Sequence, residues 1–158
     1  MTFSTPILFL TWKRPETTEK VFNSIRKIKP KKLYISSDGA RPNNISEQEK
    51  VLKTRQFLLN NVDWSCEVKT LFYPDNNGCR YAVSKSINWF FDNEDEGIIL
   101  EDDCLPTSAF FYFCQSLLER YRNDNRIWCI SGNNFQDNFW RGDGSYYFSR
   151  YNHCWGWA

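Results

Sequence analysis

The sequence predicts an α/β layered fold built around a mainly parallel sheet. Two observations lead there. Short runs rich in Ile, Leu, Val and aromatic residues alternate with helical patterns along most of the 158 residues, and polar clusters follow directly on three of those runs. In a parallel sheet that alternation is expected, because each strand must be joined to the next by a crossover.

The strand-like runs lie at 6–12, 32–37, 67–73, 97–100 and 127–131, each bounded by turn residues. Between the first two, Pro15 suits a first helical turn, with Val21, Phe22, Ile25 and Ile28 behind it. Ser46 and Glu49 have capping-box spacing, and Val51, Leu52, Arg55, Leu58 and Leu59 continue a mostly apolar stripe. A third helix is expected over about 81–91. The clearest helix is the last, where Phe110, Phe113, Cys114, Leu117, Leu118 and Tyr121 recur on one face behind a Thr107 or Ser108 cap.

This length suits one domain, 1–158. With 20 basic and 19 acidic residues, the net charge of +1 gives no reason to expect nucleic acid or an anionic membrane as partner. The six cysteines form no C-x-x-C pair, so reduced structural thiols are favoured over zinc or a disulfide framework. At the N-terminus the apolar run is only strand-length and its basic residues follow it, the reverse of a signal peptide. No apolar stretch is long enough to span a membrane, and a cytoplasmic location is expected.

The three polar clusters are TWKRP (11–15), SSDG (36–39) and EDD (101–103). Ligands of open α/β sheets bind beyond the carboxyl ends of the strands, so these clusters are candidate site elements. No G-x-G-x-x-G follows the first strand and no P-loop motif occurs, which removes the usual support for dinucleotide or P-loop chemistry.

In an extended chain Glu101 and Asp103 share one side and Asp102 points to the other. Two carboxylates about 4 Å apart repel by ~4 kcal/mol at an effective dielectric near 20, so a semi-buried cluster calls for a cation. Carboxylate oxygens favour Mg²⁺ or Mn²⁺, which use few protein ligands and complete their shells with phosphate and water. Asp38 can accept from a base N–H, Gly39 can admit a flat ring, and Arg14 can meet a phosphate. For each there is a plainer alternative: a solvated acidic strand end, a D-G turn, and a helix-start charge.

The segments PILFLTWKRP, KLYISSDG, NNGCRYAVSKSINW, GIILEDDCLP with FFYFCQSLLERY, and IWCISGNN together resemble the nucleotide-sugar glycosyltransferases of the GT-A fold. The likeness covers nearly the whole chain and is greatest to the donor half of the N-acetylglucosaminyltransferase I family and to bacterial family-2-like transferases. It implies a GT-A-like three-layer sandwich and transfer from a nucleoside-diphosphate sugar, UDP-linked by preference, to a glycan or other hydroxyl acceptor, as in polysaccharide biosynthesis.

By this resemblance the acidic triplet is a DXD-motif variant. Asp103 ligates Mn²⁺ or Mg²⁺, while Asp102 and Glu101 bond the ribose and donor sugar. Asp38 matches the acid that reads the base, with Gly39 beside it. Thr11 and Arg14 match the loop near the nucleotide, and Gly78 leads the helix beside it, where Arg80 or Lys85 can face phosphate.

An inverting transferase also needs a general base, which in the resembling families follows the W-G-W region. This chain ends there, at HCWGWA, and reads as truncated before the acceptor-side segment. Asp137 and Asp143 are expected to be ordinary loop acids rather than that base. His153 beside Cys154 is expected at a structural or rim position, and most of Trp140, Tyr146, Tyr147, Trp155 and Trp157 in core or interface. The alternative from another class is a non-catalytic nucleotide-sugar or metal-binding module. A phosphoacceptor domain ranks lower, because its acid pair belongs after the first strand.

Overall fold

The computed structural model describes residues 3–133, 139 and 142–158. Its elements run β1 (Ile7–Thr11), α1 (Pro15–Ile28), β2 (Lys32–Ser37), α2 (Ile45–Asn61), β3 (Glu67–Phe72), α3 (Cys79–Phe91), β4 (Ile98–Glu101) and α4 (Ser108–Tyr121). The strands form one sheet in the order β3-β2-β1-β4, and every neighbouring pair is parallel.

Side chains alternate along the strands, and both faces are apolar, as a sheet covered on both sides requires. Ile7, Phe9, Leu33, Ile35, Ile98 and Leu100 pack with Phe22 and Ile25 of α1, Leu58 of α2 and Phe111 and Cys114 of α4. Leu8, Leu10, Tyr34 and Ile99 face the other way, against Phe90, Val83 and Ile87 of α3. The result is the expected three-layer α/β sandwich. The chain moves outward from β1 through β2 to β3, then returns across the opposite face through α3 to β4. The reversal of strand order therefore lies between β1 and β4.

Residues 127–131 do not make the expected strand: Ser131 forms an isolated antiparallel bridge with Trp157, which also bridges Ile99. Ile130 and Ala158 exchange backbone hydrogen bonds of 2.7 and 2.9 Å. The edge of β4 is thus covered by residues near 157, and the 127–131 run finds too few successive partners to continue a ladder. In α2 the cap is Asn44, whose side chain accepts from the Glu47 amide at 3.1 Å, not Ser46. The inward positions of α2 are Glu47, Val51, Thr54 and Leu58, leaving Leu52 and Leu59 exposed. Thr107 stands at the N-cap of α4 without a side-chain cap bond, and Phe111, absent from the expected stripe, is fully buried there.

Gly97, which opens β4, is a site of close approach. A Cβ there would lie 2.3 Å from Cζ of Phe90 and 2.9 Å from the Pro6 carbonyl oxygen. Phe90 is fully buried and packs edge-on against Tyr34 at 4.9 Å, so it has little room to yield. Gly97→Ala is expected to destabilise the protein by about 2 kcal/mol, as overpacking does, measured as a lowered urea midpoint with unchanged slope. Among the described residues no helix is long and apolar enough to cross a membrane.

Candidate functional site at the sheet switch point

The loops after β1, β2 and β3 and the turn after β4 meet at the carboxyl edge of the sheet, held by specific bonds. Trp12 is the hinge of the arrangement. Its backbone N–H donates to Asp102 Oδ2 at 3.3 Å, and its indole N–H donates to the Gly39 carbonyl at 2.9 Å, tying the β4 turn to the β2 loop through β1.

Asp38 ties the β2 loop to the segment before α3. Its buried carboxylate accepts from the amides of Gly39, Asn77 and Gly78 at 3.0, 2.9 and 3.1 Å, and from the Asn76 and Asn77 side chains at 2.9 and 3.4 Å. Those donors account for the acceptor directions of both oxygens. Gly39 is needed for the same packing: a Cβ would sit 2.4 Å from the Asp75 carbonyl carbon. That side of Gly39 therefore meets the chain's own backbone, where an open approach for a flat ring was expected.

Gly78 has φ +77°, a conformation that favours glycine, and space is open beside it. It caps α3, and neither α3 nor α1 carries a side-chain cap. The amide-rich, positive ends of two helices therefore border the loops. Lys85 reaches back to Asn77 Oδ1 at 3.4 Å, whereas the Arg80 guanidinium lies over its neighbour Tyr81. Thr11 is buried, its hydroxyl donating to the Ser36 carbonyl at 3.0 Å.

Arg55 was missed as a site support because it falls within the α2 stripe. Its guanidinium donates to the carbonyls of Ser37, Asp38 and Tyr73 at 3.0, 3.1 and 2.7 Å, gathering the ends of β2 and β3. Burial pulls its pKa down while the charge of Asp38 opposes that shift. Glu47, also buried, pairs with Lys13 and accepts from the Arg41 amide at 3.2 Å, fixing the outer side of the β1 and β2 loops.

The acidic cluster closes the site. The chain turns after Glu101, with the Cys104 amide donating to the Glu101 carbonyl at 3.1 Å, so the triplet does not run on as a strand. Asp102 is buried, while the Asp103 side chain is 47% exposed. Arg14 lies against both: Nη1 is 2.6 Å from Asp103 Oδ2, and Nε is 3.4 Å from Asp102 Oδ1.

Burial pushes the Asp102 carboxyl up to about 6 against the opposing pull of Arg14 and the Trp12 amide. Glu101 is also raised, by burial and then by Asp103. Partial burial works against the Arg14 charge, but its bond to Asp103 and the field of the three acids hold its pKa above the ordinary value. Burial lifts the Cys104 thiol to about 11, so it stays protonated at neutral pH.

Among the described residues, no three His, Cys, Asp or Glu side chains are grouped to hold a metal ion. The donor set instead suits a hard cation that binds one or two carboxylates and keeps phosphate oxygens and water. Asp103 can provide that carboxylate because it is half exposed; at present its Oδ2 meets Arg14 at 2.6 Å and its Oδ1 the Cys104 thiol at 3.8 Å. Glu101 adds a second, half-buried acid whose charge couples to it.

Of the remaining candidates, Asp137 and Trp140 lie outside the described residues. Asp143 and His153 are exposed, and the imidazole stacks on Trp155 at 6.1 Å. Tyr146 packs against the main core and shares a 2.7 Å hydrogen bond with Tyr121, and Trp157 packs against the second cluster. Tyr147 and Trp155 are exposed. No family model matches the chain, and no curated protein matches it.

Proposed function

We propose that this chain binds a nucleoside-diphosphate sugar together with Mn²⁺ or Mg²⁺ and acts in metal-dependent glycosyl transfer to a hydroxyl acceptor, as its donor-binding part. The observation that carries the reading is the joining of the β1 loop, the β2 loop, the pre-α3 segment and the acidic turn at the reversal of strand order, where open α/β sheets bind ligands.

The chemistry of the border fits such a ligand. The start of α3, which has neither a side-chain cap nor an acid in its first turn, offers amides to anionic oxygens, Arg14 offers a guanidinium to phosphate, and Asp103 with Glu101 offers hard carboxylate oxygen to the cation. When bound there, the metal supplies Lewis-acid charge that offsets the negative charge developing on the departing nucleoside diphosphate. Asp102 is buried, with Oδ2 on the Trp12 amide and Oδ1 facing Arg14, and under this reading it would accept from sugar hydroxyls in the directions those two leave. A carboxylate with a strongly shifted pKa in a loop-lined site has the character expected of a functional group. Because the Asp38 oxygens already serve the 76–78 segment, Asp38 contributes by holding that wall in place, with base contact falling to groups it positions.

The test is calorimetric titration with UDP and then other nucleoside diphosphates, with and without Mn²⁺, on the parent and on Asp103→Ala. UDP binding that strengthens with Mn²⁺ is expected, and Asp103→Ala should lose at least about tenfold of the metal-dependent affinity, equivalent to ~1.4 kcal/mol. A folded parent that binds no nucleoside diphosphate in the presence of Mn²⁺ would overturn the proposal.

A further inference from the structure

The acidic turn already has a cation. Arg14 sits with Nη1 at 2.6 Å from Asp103 and Nε at 3.4 Å from Asp102, and Glu101 adds its charge to the field on the guanidinium. Arg14 is itself the N-cap residue of α1, and its side chain is 49% exposed, so its long stem can move without disturbing the core. We propose that Arg14 is a resident counter-ion that competes with the divalent cation for Asp103 and leaves that carboxylate for the diphosphate as the metal–nucleotide arrives. This deepens the donor-site reading and rests on it.

The competition follows from elementary electrostatics. A carboxylate oxygen held by a guanidinium is less available to a metal, so the metal by itself must displace Arg14 into solvent. A metal–diphosphate offers the displaced guanidinium two anionic groups at once, to which a planar fork donates well. Arg14 therefore opposes binding of the metal alone and favours binding of the metal with nucleotide, coupling the two ligands. Lys13 does not share this role, because its ammonium is paired with Glu47.

Two effects of opposite sign are expected for Arg14→Gln. Mn²⁺ affinity without nucleotide, followed by the loss of the free Mn²⁺ electron paramagnetic resonance signal, should rise about fivefold, the scale of a partly exposed ion pair. UDP affinity at saturating Mn²⁺ should fall roughly tenfold, the scale of a lost charge-assisted hydrogen bond. Arg14→Lys, which keeps the charge and loses the fork, should restore the weak binding of Mn²⁺ alone but only part of the UDP affinity.

If the parent binds UDP with Mn²⁺ and Arg14→Gln leaves the affinity for Mn²⁺ alone unchanged or weaker, the counter-ion role is overturned while the donor site stands. If neither protein binds Mn²⁺ with or without UDP, both are overturned. Far-ultraviolet circular dichroism of each variant establishes that it is folded before the comparison.

Discussion

Replacing Asp38 by alanine is expected to destabilise the protein by about 3 kcal/mol and to weaken UDP binding on the order of a hundredfold. The carboxylate is buried and accepts from the amides of Gly39, Asn77 and Gly78 and from the Asn76 and Asn77 side chains. Removing it leaves three backbone N–H groups without their acceptor in one step. An unpaired buried donor costs about 1–3 kcal/mol, although water entering the loop would recover part of that. The loss should therefore be large but short of the full sum.

The same substitution has a local signature. Asn77 and Gly78 lead into α3, so hydrogen exchange at their amides should accelerate well before the exchange of core amides such as Phe9 or Ile35. Asp38→Asn gives an intermediate outcome, since one oxygen still accepts while the new NH₂ faces N–H donors. Unchanged urea stability for Asp38→Ala would show that the loop holds without its clamp, and would remove the basis for placing Asp38 in the site at all.

How much of this could be read from the sequence depends on the range of the interaction. The ends of β1, β2 and β4 were legible because polar residues follow apolar runs immediately; which face Phe9 and Leu8 each bury was not, because every residue of β1 but the last is apolar. What Asp38 accepts from was not legible, because its partners Asn76, Asn77 and Gly78 lie 38 to 40 residues away and the N-N-G run does not say which carboxylate it meets. Arg55 failed to stand out for a related reason. Helical spacing places it on the inward side of α2 but does not say that its guanidinium reaches three strand-end carbonyls.

Asn44 and Glu47 have the same spacing as Ser46 and Glu49, and the helix starts at the earlier pair, where Asn44 accepts from the Glu47 amide and the Glu47 side chain is paired with Lys13. The 127–131 run has strand composition, yet a ladder is a property of two segments. Its partners near residue 157 are separated from it by a stretch whose pattern gave no pairing signal.

At neutral pH, Asp102→Asn is expected to make the protein more stable, by up to about 3 kcal/mol, and at pH 4 to leave stability nearly unchanged. The sign follows from the direction of the shift. An Asp in the unfolded chain titrates at about 3.9. Burial raises Asp102 in the folded protein to about 6, against the opposing influence of Arg14 and the Trp12 amide and with the help of Asp103 and Glu101. Below pH 4 the group is protonated in both states and its contribution is fully present. Between about pH 4 and 6 the unfolded chain binds fewer protons than the folded one, so stability falls as pH rises, and above that window the loss is complete.

Asparagine mimics the protonated acid and retains an oxygen for the Trp12 amide, so its profile should lack that fall. Glu101 is raised in the same direction and persists in both proteins, which is why the difference between the two urea-stability profiles, rather than either alone, isolates Asp102. Parallel profiles across pH 4 to 7.5 would show that Asp102 is ionised in the fold without penalty. Under the donor-site reading, the stabilised variant should also bind UDP with Mn²⁺ more weakly, because an amide donates where a carboxylate accepts. A buried acid whose removal strengthens the fold and weakens the ligand is a charge retained for binding at a cost to stability.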